Sequence, residues 1–301
     1  MQLRRLACGT ALLVAGTLAR PVRAGDATGA FAPYEDIVPV IADLTWHLKD
    51  DVYRFPPPQD PTGHDLYGLT LARLDAWEKR FPNRLRDVIS FTRAETLERL
   101  GEYRRAADGY AKVAALPSPL APRANDCRAR AEAFAVAAAL PETGSDIGER
   151  LTLVRRKLDA WDQLLTRYQA TAFQPVVMVE IERLERIGAT IVADHRDAIE
   201  NGDATAERSL RFLIEKHADS KNLPSHILRL GDLYADLARE YVATHDRPLA
   251  FDPDEFTRRA DRALDTYRKV ATWDGAREKP EGQGHFAAFE AWKSITLARY
   301  R

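Results

Sequence analysis

The sequence predicts an all-α chain, an α-solenoid of antiparallel helix hairpins, and three observations predict it. Apolar residues recur at helical spacing in one segment after another, with Pro and Gly gathered between the segments. No long alternating run of β-branched residues occurs. Val176, Val177 and Val179 are the one strand-like cluster, and a helical stripe runs straight through them. The chain also repeats itself: Leu158-Asp159-Ala160-Trp161-Asp162 echoes Leu74-Asp75-Ala76-Trp77-Glu78. An aromatic follows each echo, and Tyr168 to Gly188 and Phe81 to Gly101 then span the same twenty positions, closing on Glu-Arg-Ile-Gly and Glu-Arg-Leu-Gly.

Met1 to Ala24 reads as a signal peptide. Arg4 and Arg5 precede an apolar run, Leu6 to Ala19, that is too short for a membrane span, and Val22 and Ala24 fit cleavage before Gly25. Most of the apolar run follows Cys8 instead of preceding it, which argues against a lipoprotein. The surroundings of Arg4-Arg5 argue against twin-arginine export. The expected address is export to the periplasm or envelope of a bacterium. The whole chain has 44 Lys+Arg and 45 Asp+Glu; the leader holds four arginines and no acid, which leaves 40 against 45. That mildly acidic, mixed surface gives no footprint for nucleic acid or anionic lipid. Cys127 is then the remaining cysteine, so no internal disulfide is expected, and a buried small residue fits it best.

About 275 residues follow the leader, more than one domain usually holds. Ala32 to Asp51 reads as a helix with the stripe Ile37, Val40, Ile41, Leu44 and Leu48, and with Trp46 and Tyr53 nearby. Phe55 to Gly63, with PPPQDPTG, reads as a stiff spacer, a proline-binding partner being the other use of such a run. Asp65 to Arg80 carries Leu66, Leu69, Leu71, Leu74 and Trp77, and Phe81-Pro82-Asn83 ends it. Asp87 to Pro117 holds two amphipathic helices. Val88, Phe91, Ala94, Leu97 and Leu100 stripe the first; Tyr103, Ala106, Ala107, Tyr110 and Val113 stripe the second. Gly101 turns between them and Pro117 stops the pair. Neither helix can bury its stripe alone, so they pack antiparallel.

Ala124 to Leu140 is an alanine-rich helix after breaks at Pro117, Pro119 and Pro122. Leu140 to Gly144 spells the five residues of a sortase sorting signal, but mid-chain and ahead of a charged helix, so it reads as a linker. Ser145 or Asp146 caps the next helix, with Glu149 behind. The expected lobes are 25–140 and 146–301, joined by 141–145. Ile147 to Tyr168 is one long helix, and past Gly188 the face Ile181, Leu184, Ile187, Ile191 and His195 can continue the next. Asn201-Gly202-Asp203 breaks it, Ala204 to His217 follows, then Ser225 to Thr244. After His245 to Asp254, Ala260, Ala263, Leu264, Tyr267 and Val270 stripe a further helix. Phe286 to Tyr300, with Phe289, Trp292, Ile295 and Leu297, closes the chain as a cap.

Gly101, Tyr103, Ala106, Tyr110 and Pro117, with Ala94 and Leu97 before them, resemble the tetratricopeptide (TPR) consensus, as do Leu230, Gly231 and Tyr234. The match is degenerate: Ser90 stands where that family has a tryptophan, and His245 to Asp254 is inserted in the later unit. The resemblance implies a right-handed superhelix whose first helices line a concave face. Carried over by position, Val88, Phe91, Glu95, Glu98 and Arg99 would face that groove, and so would Ser225, Leu228, Asp232, Ala235 and Asp236. We take Phe91, Glu95, Glu98, Arg99, Leu228, Asp232 and Asp236 as the candidate partner-binding residues. The groove they imply is mixed to acidic and suits an extended or basic peptide segment.

Signals for chemistry are sparse. The seven histidines are scattered, and neither Asp194-His195 nor His217 with Asp219 has a second ligand pair at metal spacing. Glu95 with Glu98, and Glu182 with Glu185, read as solvated pairs on helix faces. No nucleotide-binding glycine loop or nucleophile elbow occurs. No catalytic, cofactor-binding or metal-binding residue is assigned. The expected function is an exported, non-catalytic scaffold that binds another envelope protein, in the general style of helical-repeat proteins of outer-membrane assembly and cell division. The alternative is an all-helical envelope hydrolase that cuts cell-wall glycan with a glutamate acid, which requires a carboxyl in an apolar setting.

Overall fold

The computed structural model describes residues 33–50, 64–171, 173–247 and 250–300. The leader Met1–Ala24, the proline segment 55–63, Tyr53 and the side chains of Trp46 and Leu48 lie outside the described residues. Among those residues the chain is helical and holds no strand. In order come α1 (Pro33–Asp50), α2 (His64–Arg80), α3 (Arg86–Arg99), α4 (Tyr103–Ala114), α5 (Ala121–Ala138) and α6 (Ile147–Tyr168). Then follow α7 (Gln174–Asp194), a 3-10 turn (Arg196–Ala198), α8 (Gly202–Lys216), α9 (Leu223–Thr244), α10 (Pro253–Ala271) and α11 (Lys279–Arg299).

Helix ends follow local chemistry. Asp146 is the cap of α6, its carboxylate accepting from the Glu149 amide at 2.8 Å, while Glu149 reaches back to the Ser145 amide. This is close to a capping box, with the return contact made one residue before the cap. Gly101 has φ 76°, the left-handed turn between α3 and α4. Gly188, its counterpart in the repeat, sits inside α7, because Ala189, Ile191 and Ala193 beyond it are buried and extend the helix. Pro122, read from the sequence as a break, lies in the first turn of α5. Prolines open α7, α9, α10 and α11 in the same way. In a first turn the amide that proline lacks has no partner to lose. This is why α5 and α11 begin earlier than their stripes alone indicate.

Among the described residues the core is strung along the chain as four clusters in sequence order. The first joins α1, α2 and the start of α3 through Ile37, Val40, Leu74, Trp77 and Ile89. The second joins α3, α4 and α5 around Tyr110. The third joins α4 to α7 around Phe134 and Trp161, and the fourth joins α7 to α11. Consecutive helices pack on one another, and α9 also meets α11. On α2 the buried row is Tyr67, Thr70, Leu74 and Trp77, whereas Leu69 is 55% exposed. The spacing of that row is helical, and it lies to one side of the leucine stripe. Trp77 and Trp161, the centres of the two echoes, are both buried, and neither indole N–H finds an acceptor.

The segment 141–145 is held by charge. Glu142 accepts from Lys157 on α6 at 2.6 Å and from Arg183 on α7 at 2.6 and 2.9 Å. Arg183, against the cost of partial burial and with help from Lys157, holds this carboxyl down at about 2. Lys157 also donates to the carbonyls of Ala138 and Leu140, so it closes the C-terminus of α5. The third cluster runs across this segment, with Tyr103, Phe134 and Ala137 before it and Trp161 after.

Small residues set the closest helix approach. A Cβ added to Gly231 on α9 would lie 2.6 Å from the Tyr267 ring on α10. Gly231→Ala is therefore expected to cost about 1–3 kcal/mol. Gly68→Ala on α2, where nothing lies within 4 Å, is expected to stabilise by up to about 1 kcal/mol. Urea denaturation of the two variants checks the pair, and equal midpoints would mean that α9 and α10 are not in this contact.

Candidate binding face

The seven candidate residues lie on α3 and α9, and the structure sorts them by depth. Phe91, Glu98 and Leu228 are buried. The Phe91 ring packs edge-on against Tyr110, with centroids 5.4 Å apart, and Leu228 belongs to the fourth cluster. These three serve the core, so a partner laid over α3 and α9 does not reach them. The physical reason is coverage: α3 packs on α2 and α4 and sends side chains to α5, which hides more of its circumference than one stripe. Glu95, Arg99, Asp232 and Asp236 stay partly exposed. The two helices belong to separate clusters, and the seven do not gather into one pocket. An open groove of about 700 Å³ along α6, beside Leu140, Leu151 and Arg156, contains none of them.

What α3 and α9 share is a row of charged contacts to the helix two places along. Glu98 on α3 takes two hydrogen bonds from Arg130 on α5, at 2.6 and 2.8 Å, and a third from the Tyr110 hydroxyl at 2.8 Å. Glu95 accepts from Arg123, also on α5, at 3.1 Å. The Arg130 guanidinium lies 3.3 Å from the ring centre of Phe173, at the start of α7. Glu182 on α7 meets His226 on α9 at 2.7 Å. Asp232 on α9 meets His285 on α11 at 3.1 Å and accepts from Tyr267 at 2.7 Å. On the even-numbered helices, Glu207 of α8 accepts from Arg262 of α10 at 2.6 Å.

Glu182 and Glu185 are thus not the solvated pair the sequence suggests. Glu182 is 2% exposed and accepts from Ser220; Glu185 meets His217 at 2.6 Å and also accepts from Lys216. The sequence does contain a signal for such burial. Arg130 falls beside Ala124, Cys127 and Ala131 on the apolar stripe of α5, and His226 falls beside Leu223, Ile227 and Leu230 on that of α9. A charged or imidazole group on an apolar stripe needs a buried partner.

Electrostatics set Glu95 apart from Glu182 and Glu185. Burial pushes the Glu95 carboxyl above its ordinary range, with Arg123 pulling the other way. Burial acts on Glu182 and Glu185 too, but hydrogen bonds from His226 and Ser220, and from His217 and Lys216, outweigh it and hold both below that range. Arg130 is buried, yet Glu98 holds its proton more firmly than usual. Among the described residues, no group of three or more His, Cys, Asp or Glu is arranged to hold a metal ion, and no helix is long and apolar enough to cross a membrane.

No family model matches the chain, and no curated protein matches it either. The reading of the face therefore rests on the geometry above.

Glu98→Gln leaves Arg130 buried without its charge partner and is expected to cost about 3–5 kcal/mol. Replacing the trio by apolar groups, as Glu98→Met, Arg130→Leu and Tyr110→Phe together, is expected to recover most of that loss. Chemical denaturation checks both. A single variant within about 1 kcal/mol of the parent would show that the pair is not buried as described.

Proposed function

We propose that this chain is a non-catalytic scaffold, an exported α-solenoid of TPR-like hairpins that holds another envelope protein, or an extended segment of one, on its first-helix face. The observation that carries the reading is the row of contacts linking α3, α5, α7, α9 and α11. Neighbouring hairpins that touch this way, each adding its own piece of core, are how a stacked-hairpin array is held. Export rests on the leader pattern of Met1 to Ala24.

Two further features favour binding over chemistry. Glu95 and Glu98 are engaged with arginines of the same chain, which suits a structural surface better than a reactive centre. The partly exposed part of the face, Glu95, Arg99, Asp232 and Asp236, is mixed to acidic and complements a basic peptide segment.

Glu95 keeps the hydrolase reading in view, because a carboxyl lifted by burial is what a glycosidase acid requires. The two readings separate in one set of variants. On the scaffold reading, Arg99→Glu with Asp236→Arg lowers recovery of a defined partner by about tenfold after crosslinking in cells, with folding intact. Glu95→Gln then leaves cell-wall glycan unchanged. Glycan release that the parent performs and Glu95→Gln abolishes would replace the scaffold reading with the hydrolase.

A further inference from the structure

Helix α6 turns one side to the core and leaves the other uncovered. Val154, Leu158, Trp161 and Leu164 are buried in the third cluster. Thr152, Arg156, Asp159 and Gln163 recur every three or four residues on the opposite side, and all four are exposed. The open groove of about 700 Å³ runs along them. Its apolar surface comes from Leu140, Leu151 and Ala160, each partly buried. One turn before Leu140, Val136 on α5 is 70% exposed, as exposed as any large apolar side chain among the described residues.

The charges along the groove do not cancel. Arg155 donates to Asp159 at 3.0 Å, a pair within the helix. Arg156, the next residue, has no ion pair among the described residues. The groove therefore offers apolar contacts and an uncommitted guanidinium, on a chain whose residues 25–301 carry more acid than base. A basic segment meets a like charge there, and an acidic one meets its complement. Length selects further. Leu151 to Gln163 span about 18 Å, a little over three turns of helix. A second helix laid alongside presents side chains in the same rhythm of threes and fours, which is how a groove holds an amphipathic helix. An anionic lipid surface fits less well. It rewards projecting apolar side chains and clustered cations, and here the apolar atoms are recessed and Asp159 sits among the arginines.

We propose that this groove is a second binding site, and that its occupant is an acidic amphipathic helix of another protein. Aliphatic side chains of that helix cover Leu140, Leu151 and Ala160, and a carboxylate meets Arg156. Helix α6 stands outside the row that links α3, α5, α7, α9 and α11, so the site holds whatever the first-helix face binds. The two surfaces then have opposite charge preferences.

Fluorescence anisotropy of the full chain with a labelled helical peptide tests the site. The peptide has about fourteen residues, with Leu at every third and fourth position and Glu between. The expected result is saturable binding with a dissociation constant on the order of 10–100 μM, weakened by added salt. The same peptide with Lys in place of Glu is expected to bind about tenfold more weakly. Arg156→Glu is expected to weaken the acidic peptide about tenfold and to strengthen the lysine peptide. Asp236→Arg, on the first-helix face, is expected to change neither. Arg156 is exposed, so the reversed variant keeps its fold, which circular dichroism checks. No binding of the acidic peptide at about 1 mM, equal binding of the two peptides, or an Arg156→Glu variant that binds as the parent does would overturn the site. So would a change on Asp236→Arg, which would move the peptide to the first-helix face. Capture of the chain by anionic phospholipid vesicles through Arg156, without binding of the peptide, would replace the helix by a membrane.

Discussion

Glu98 and Arg130 meet across α3 and α5 through hydrogen bonds of 2.6 and 2.8 Å, with the Tyr110 hydroxyl completing the set and almost no water in reach. Neither charge can tolerate that position alone. Each requires the other, so α3 and α5 must both be in place before either is stable. That requirement fixes the spacing of α3 and α5, two helices that are not consecutive in the chain. It recurs where Glu182 meets His226, and in exposed form where Asp232 meets His285.

The apolar core obeys the same logic of neighbours. Its clusters overlap in membership of helices: α3 enters the first and second, α5 the second and third, and α7 the third and fourth. No single helix organises the whole. A weakened contact between neighbouring helices is therefore expected to be felt first by the helices beside it. The segment 141–145 makes one such contact, closed by Glu142, Lys157 and Arg183 together with the aromatic contacts of Phe134 and Trp161.

Much of the fold was legible because helices advertise themselves. Ile147 to Tyr168 is read from its stripe and cap to the residue, and the Gly101 turn is read from a glycine between two stripes. Pro122 misled because one residue type has opposite meanings at the two ends of a helix; it starts α5 instead of marking a break. The face was less legible. Position in a repeat tells which helix a residue is on, but not how far the neighbours close over it, so Phe91, Glu98 and Leu228 went to the core. The buried glutamates were missed for a related reason. Glu182 and Glu185 look solvated until α9 and the end of α8 bring His226 and His217 to them, and those partners lie more than thirty residues away in the chain.

The central claim is that hairpins are stacked in chain order and present a face, instead of folding around one common core. Small-angle X-ray scattering of residues 25–301 tests that most directly. A compact globule of this length has a radius of gyration of about 19 Å. A stack of hairpins predicts a value well above that, with a distance distribution skewed to long separations. A radius close to the compact value with a symmetric distribution would contradict the account.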